Sequence, residues 1–321
     1  MKAVVYHRYG APDVLRCEET ATPAPGEGEV LIRVRAAAAN PMDAHLMKGA
    51  YLMRPMTGLR APRAGRPGAD LAGEVEAVGR NVTRFQPGDA VFGASRGTFA
   101  EYVCAREDRL APRPANLSFE QAAALPVAGL TALQGLRDKA RVGPGQKVLI
   151  HGAAGGVGTF AVQIARAWGA EVTGVCRTTN MDLVRSLGAH HVVDYTREDF
   201  TRSAPPYDVM LDCVGDRSFR DCRRALRPQG TYVAVGVRPG GRWLGPLPHL
   251  LTVLLSSRFV SQRVVFFVAR VIAEDLAALK TLAETGKLMP VIGRRFPLTE
   301  AAEAIRYLGT GHPQGKVVIT M

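Results

Sequence analysis

Over the first 115 residues, apolar and polar positions alternate in short runs. "KAVVYH" and "EVLIRVRAAAA" read as strands, with "PAPGEGE" as the turn before the second. "GADLAGEVEAVG" and "DAVFG" predict further short strands around the turn "RFQPGD". "NPMDAHLMKG" predicts one short helix, opened by Asn40-Pro41 and ended by Gly49. Many short strands joined by Gly/Pro turns point to a small barrel.

From about residue 118 the period changes. "LSFEQAAALPVAGLTALQGLRDKA" reads as one helix, with Ser118 as N-cap. Strands then alternate with helices: "KVLIHG", "GVGTFAVQIARAWG", "EVTGVC", "NMDLVRSLG", "HHVVDY", "YDVMLDCVG", "DRSFRDCRRAL" and "GTYVAVG". That alternation implies βαβ units and a parallel sheet, hence an α/β fold. "DLAALKTLAETGK", "TEAAEAIRYLGTG" and "GKVVITM" close the chain as helix, helix, strand. The last strand has no parallel partner nearby in sequence and is expected to return to the first domain.

The loop "AAGGVG" joins the strand "VLIHG" to the helix that follows and holds Gly155, Gly156 and Gly158, with Gly152 just before it. The first N–H groups of a helix carry partial positive charge and lack an intrahelical partner, and a pyrophosphate meets both deficits. Side chains at Gly155 and Gly156 would keep the backbone from approaching a ligand. Between a strand and a helix, inside repeated βαβ units, the loop reads as a dinucleotide site. The second strand ends in "VCRTTN" and lacks the carboxylate that would bind a ribose 2′-hydroxyl. Arg177 instead attracts a 2′-phosphate, which favours NADPH; alternatively, Arg177 is a surface residue at a strand end.

Composition narrows the rest. Hydrophobic residues are 47 % and charged residues 22 % of 321, an ordinary globular balance with room for two domains. The net charge of +12 comes from scattered arginines without basic-aromatic interleaving, which argues against nucleic acid as partner. The five cysteines are spread without a CxxC pair, so neither a disulfide framework nor a four-cysteine zinc site is expected. The N-terminus does not read as a signal peptide. The late apolar region is broken by Arg258, Arg263 and Arg270, short of the roughly 20 apolar residues that span a bilayer. A cytoplasmic protein is expected.

"NPMDAHLMKG", "PGADLAGEVEAVG" with "PGDAVFG", "AALPVAGLTAL", "AAGGVG", "LGAHHVVDY", "LDCVG" and "GKVVITM", in this order, resemble the medium-chain dehydrogenase/reductase superfamily in its zinc-independent quinone oxidoreductase-like branch. The resemblance implies a GroES-like β-barrel domain (residues 1–118), a Rossmann doubly wound parallel sheet (119–262), a C-terminal segment (263–321) returning to the first domain, and a substrate cleft between domains. It also implies a homodimer or homotetramer. Where zinc-dependent relatives carry metal ligands, this chain has Asn40, Ala69-Asp70 and Ala128, so no metal site is expected. Without a Lewis acid, the implied chemistry is hydride transfer from NADPH to a quinone or an activated alkene (an α,β-unsaturated carbonyl). The alternatives are a 2-enoyl thioester reductase and an NADPH-binding protein with a mainly binding or sensing role.

By the same resemblance, Asn40 and Thr131 lie near the nicotinamide, and Ala154, Gly155, Gly156 and Val157 hold the pyrophosphate. Arg177, Thr178, Asn180, Tyr195 and Lys316 surround the adenosine phosphate. Cys213, Val214, Gly215 and Gly236 line ribose and nicotinamide, and Val260 and Ser261 reach the carboxamide. The catalytic candidates are Tyr51, His45 and Asn40, with Tyr51 or His45 as proton donor. Each donor has a bland alternative: His45 as a solvent-facing helix residue, Tyr51 as a packed loop aromatic. Asp43 reads as a brace of its helix.

Arg177→Glu is expected to weaken NADPH binding at least about tenfold more than NADH binding, since a lost charged contact exchanged for a repulsive one is selective for the 2′-phosphate. Parallel titrations with the two coenzymes measure this, and equal losses would remove the phosphate role.

Overall fold

The computed structural model describes residues 1–49, 54, 58–62, 65–202, 206–236, 260–311 and 313–321. The chain divides into two compact units, one made of Met1–Leu130 with Arg270–Met321 and one of Thr131–Ala269.

In the first unit the strands are β1 (Lys2–Val5), β2 (Arg16–Glu19), β3 (Glu29–Ala39), β4 (Asp70–Val78), β5 (Ala90–Ala94), β6 (Tyr102–Arg106) and β7 (Leu110–Pro112). The second unit carries β8 (Lys147–His151), β9 (Glu171–Cys176), β10 (His191–Asp194), β11 (Tyr207–Asp212), β12 (Leu226–Ala234) and β13 (Arg263–Phe266). β14 (Ile292–Pro297) and β15 (Lys316–Thr320) belong to the first unit again.

β1 and β2 form an antiparallel pair, and a larger sheet runs β14-β15-β3-β4-β5-β7, with β6 also on β3. The closing strand does return: β15 pairs antiparallel with β3, Val317 opposite Ala39, and parallel with β14. Ile32, Leu71, Phe99 and Leu110 fill the core, and Met47 of the helix Pro41–Lys48 packs into it. Ala36–Ala39 pair with β15 on one side of β3, and Ala36–Ala38 with β4 on the other.

The second unit is a parallel sheet in the order β10-β9-β8-β11-β12-β13. From β8 the chain winds outward through β9 and β10, then crosses to β11 and winds the other way. The order therefore reverses between β8 and β11, the place where open α/β sheets bind ligands at their carboxyl ends. Leu149, Met210, Phe219 and Tyr232 anchor the core.

Three expectations change. The boundaries expected at 118/119 and 262/263 fall at 130/131 and 269/270. The helical turn Phe119–Ala123 belongs with the first unit, where the Val127 N–H donates to Asp70 at 2.7 Å. "RVVF" is the outer strand β13 of the parallel sheet, beside β12. The single helix expected over 118–140 is broken before Pro126, which cannot donate to a helical ladder, and opens into a π turn at Gly135–Ala140.

Two glycines of the dinucleotide loop do different work. A Cβ at Gly158 would lie 2.1 Å from the Gly152 carbonyl oxygen, so the fold itself requires glycine there. A Cβ at Gly155 would meet only that oxygen, at an ordinary 3.4 Å, and φ is −81°. Gly158→Ala is accordingly expected to cost about 1–3 kcal/mol through overpacking, and Gly155→Ala less than about 0.5 kcal/mol. Urea unfolding of the two variants checks the contrast.

Candidate active site

The dinucleotide loop lies at the carboxyl end of β8. The apolar, β-branched run "KVLI" builds the strand, and Gly152 turns the chain at φ +81°, where a side chain is strained. The helix Gly156–Ala167 begins with Gly155 as N-cap, and its first helical bond runs from Thr159 N to Gly155 O at 3.0 Å. The N–H groups of Gly156, Val157 and Gly158 therefore precede the ladder, at the positive end of twelve aligned peptides. Ala154 is buried beneath them. The fold does not demand glycine at 155, so its missing side chain leaves room for close approach to the N–H groups of Gly156, Val157 and Gly158, and the loop fits a pyrophosphate.

At the end of β9, Arg177 is exposed and its Nε donates to the Tyr195 hydroxyl at 2.8 Å. Asn180 follows in the same turn, its N–H on the Arg177 carbonyl. The Thr178 hydroxyl donates to the buried carboxylate of Asp194, which also accepts from the Thr196 hydroxyl at 2.7 Å. These hydroxyl bonds hold Asp194 down at about 2. Thr178 is thus committed to the protein, and Asp194 is buried, with the exposed Arg197 also 3.6 Å from it, so the exposed charges beside this strand end are cationic.

Cys213, Val214 and Gly215 follow β11, and Gly236 follows β12. Burial, then the Asp212 charge, pushes the Cys213 thiol up, so it stays protonated and is no nucleophile. Val260 packs partly buried against the same core, and Ser261 is exposed. Thr131 is half-buried in the helix Pro126–Gln134.

In the first unit, a buried polar cluster surrounds the start of the helix Pro41–Lys48. Asn40 caps it, with its backbone N–H on Asp43 Oδ2 at 2.8 Å. Asn40 Nδ2 donates to Asp70 Oδ2 at 2.9 Å. Lys316 Nζ, 3 % exposed, donates to Asn40 Oδ1 at 2.7 Å and to Asp70 Oδ2 at 3.0 Å. The expectation that Lys316 serves the adenosine phosphate is corrected. Its ammonium is buried and committed to Asn40 and Asp70, because β15 pairs with β3 and carries it there. Asn40 likewise has both ends of its amide engaged within the protein.

His45 is on the exposed face of that helix, held below the ordinary imidazole value by partial desolvation first and by Lys48 second. Tyr51 lies outside the described residues. The sequence reading passed over Lys316 as a partner of Asp70, and over His151, Asp212 and Tyr232. Polar residues ending apolar strands, as in "VLIH" and "VMLD", were the available signal.

Residues 26–115 match the family model described as alcohol dehydrogenase GroES-like domain, and residues 187–319 the one described as zinc-binding dehydrogenase. The chain is 36 % identical to the chloroplastic quinone-oxidoreductase QR1 of Triphysaria versicolor, over 99 % of this chain and 98 % of that protein. It is 34 % identical to the chloroplastic NADPH-dependent alkenal/one oxidoreductase of Arabidopsis thaliana, over 99 % of this chain and 79 % of the other. The Escherichia coli quinone oxidoreductase solved with NADPH superposes with a TM-score of 0.87 at 26 % identity, over 100 % of both chains.

Asp43 titrates unusually. Burial raises it from 3.8 to about 6, against the Asn40 and Gly68 N–H groups that lower it; Asp70 adds to the rise and Lys316 opposes it. The folded protein therefore holds a proton here that the unfolded chain has released between about pH 4 and 6. The stability this contributes is complete below pH 4 and lost as pH rises through 6. Relative to Asp43→Asn, the wild type is expected to lose on the order of 2–3 kcal/mol between pH 4 and 7. Paired denaturant unfolding across that range measures it, and a constant difference would contradict it.

Proposed function

Since the chain belongs to the medium-chain dehydrogenase/reductase superfamily, in its quinone oxidoreductase-like branch, and is an oxidoreductase, we propose that it reduces quinones or α,β-unsaturated carbonyls with NADPH and without a metal. The observation that carries this is the glycine turn between β8 and the helix Gly156–Ala167, at the reversal point of the parallel sheet. When bound, NADPH supplies a hydride from its nicotinamide.

The protein's own residues bind, orient and protonate. The N–H groups of Gly156, Val157 and Gly158 hold the pyrophosphate, and Arg177, steadied by Tyr195, favours the 2′-phosphate. The turn Cys213–Gly215 with Gly236 takes the ribose. Holding two reactants in register supplies much of the rate when the acceptor is already electron-poor. The reduced acceptor then needs a proton at oxygen. His45, lowered from the ordinary imidazole value, is mostly neutral at pH 7 and a weak resident acid. Tyr51 is the donor favoured in this reading, through its phenol O–H.

Zinc independence is supported by donor chemistry. Asn40 and Asp70 converge on the Lys316 ammonium, and Ala128 offers no ligand atom. A second cation there would face a fixed positive charge with one carboxylate and one amide for ligands, which suits zinc poorly. By family likeness we place the enzyme as a homodimer or homotetramer.

Chelator-treated protein is expected to oxidise NADPH with a naphthoquinone or a short enone, at about 1–1,000 per second, as fast as untreated protein. An enoyl thioester should be the slower acceptor. Coenzyme binding without oxidation by any acceptor would favour the binding or sensing role, and activity restored only by zinc would overturn the metal-free reading.

A further inference from the structure

His151 ends β8 and Asp212 ends β11, and the two are register partners across the seam where the sheet order reverses. Both are buried. His151 Nδ1 donates to Asp212 Oδ1 at 2.9 Å, and its Nε2 lies 3.6 Å from the exposed carboxylate of Asp216. The imidazole packs on Phe200, with centroids 4.6 Å apart. The Tyr232 hydroxyl, from β12, donates to Asp212 Oδ2 at 2.6 Å. Oδ1 also accepts the N–H groups of Val214 and Gly215, at 3.0 and 2.9 Å.

Burial alone would raise Asp212. The bonds from His151, Tyr232 and Gly215 outweigh it and hold the carboxyl below its ordinary range, so a charge sits inside the sheet. Apolar residues of similar volume commonly serve stability as well as a buried ionic group does. What this group adds is location. Its oxygens grip the turn Cys213–Gly215, and that turn is wedged between two backbones. A Cβ at Gly152 would come within 2.7 Å of Val214 Cγ2, and one at Gly236 within 2.4 Å of the Cys213 carbonyl carbon. Cys213 N bonds the His151 carbonyl at 3.0 Å, and Gly236 N bonds the Asp212 carbonyl at 2.8 Å. Three strand ends are thus stitched through one carboxylate.

We propose that His151 and Tyr232 are positioning residues for the coenzyme: through Asp212 they set the 213–215 turn against Gly152 and so fix the width of the crevice that receives the nicotinamide ribose. This rests on the coenzyme reading above. Neither residue needs to touch the coenzyme.

The test combines NADPH calorimetry, steady-state kinetics and melting for three variants. His151→Leu leaves Asp212 Oδ1 short of a donor and is expected to raise both the NADPH Kd and its KM about tenfold, near 1.4 kcal/mol, while the quinone KM stays within about twofold. His151→Asn, whose amide nitrogen donates from near the Nδ1 position, should return both to within about threefold of wild type. Tyr232→Phe, nearly isosteric and safe for folding if His151→Leu is not, should raise the Kd about threefold. Lower melting temperatures with unchanged coenzyme Kd in His151→Leu or Tyr232→Phe would overturn the positioning role and leave a structural one. Equal defects in Leu and Asn would also overturn it. Wild-type protein that binds neither NADPH nor NADH would instead sink the coenzyme reading, and this proposal with it.

Discussion

A carboxylate removed from water must have its lone pairs answered, or it takes up a proton or the fold is lost. Each unit of this protein is organised around one such group at the end of a strand. In the first, Asp70 accepts from Val127 N, Asn40 Nδ2 and Lys316 Nζ. In the second, Asp212 accepts from His151, Tyr232, Val214 and Gly215. Several of the donors come from segments far apart in the chain, so each carboxylate ties loops to strands. A purely apolar contact would bury the same area without specifying which atoms meet.

The two clusters divide the labour differently. Around Asp70 a permanent ammonium balances the charge, and Asp43, one helical turn from Asn40, is left partly uncompensated and titrates near 6. Around Asp212 the compensation comes from the His151, Tyr232 and Gly215 donors, and the charge is retained. The first arrangement occupies Asn40 and Asp70 with a cation the protein carries itself. The second ties the ends of β8, β11 and β12 together through side-chain and backbone bonds.

Much of this was legible from local pattern. The alternation of "KVLIHG", "EVTGVC" and "HHVVDY" with helical runs specifies β8, β9 and β10 as parallel strands, because a helix between them leaves no room for a hairpin. The glycine turn was legible for the same reason, being local in sequence. Lys316 was not. Its partners Asn40 and Asp70 are 276 and 246 residues away, and the pairing of β15 with β3 that unites them leaves no trace at the lysine itself. β13 was obscured because its four residues lie within a longer apolar, arginine-broken run that also reads as helix.

What the sequence by itself determined is therefore what depends on neighbours within about ten residues: strand and helix periods, the dinucleotide turn, and a strand end with arginine where an acid would select NAD. What only the tertiary structure decided is which polar side chains face one another once those elements are packed. Hydrogen bonds between side chains are set by sheet order and register, and these are choices made by the whole core, since shifting a strand by one place sends every side chain to the opposite face.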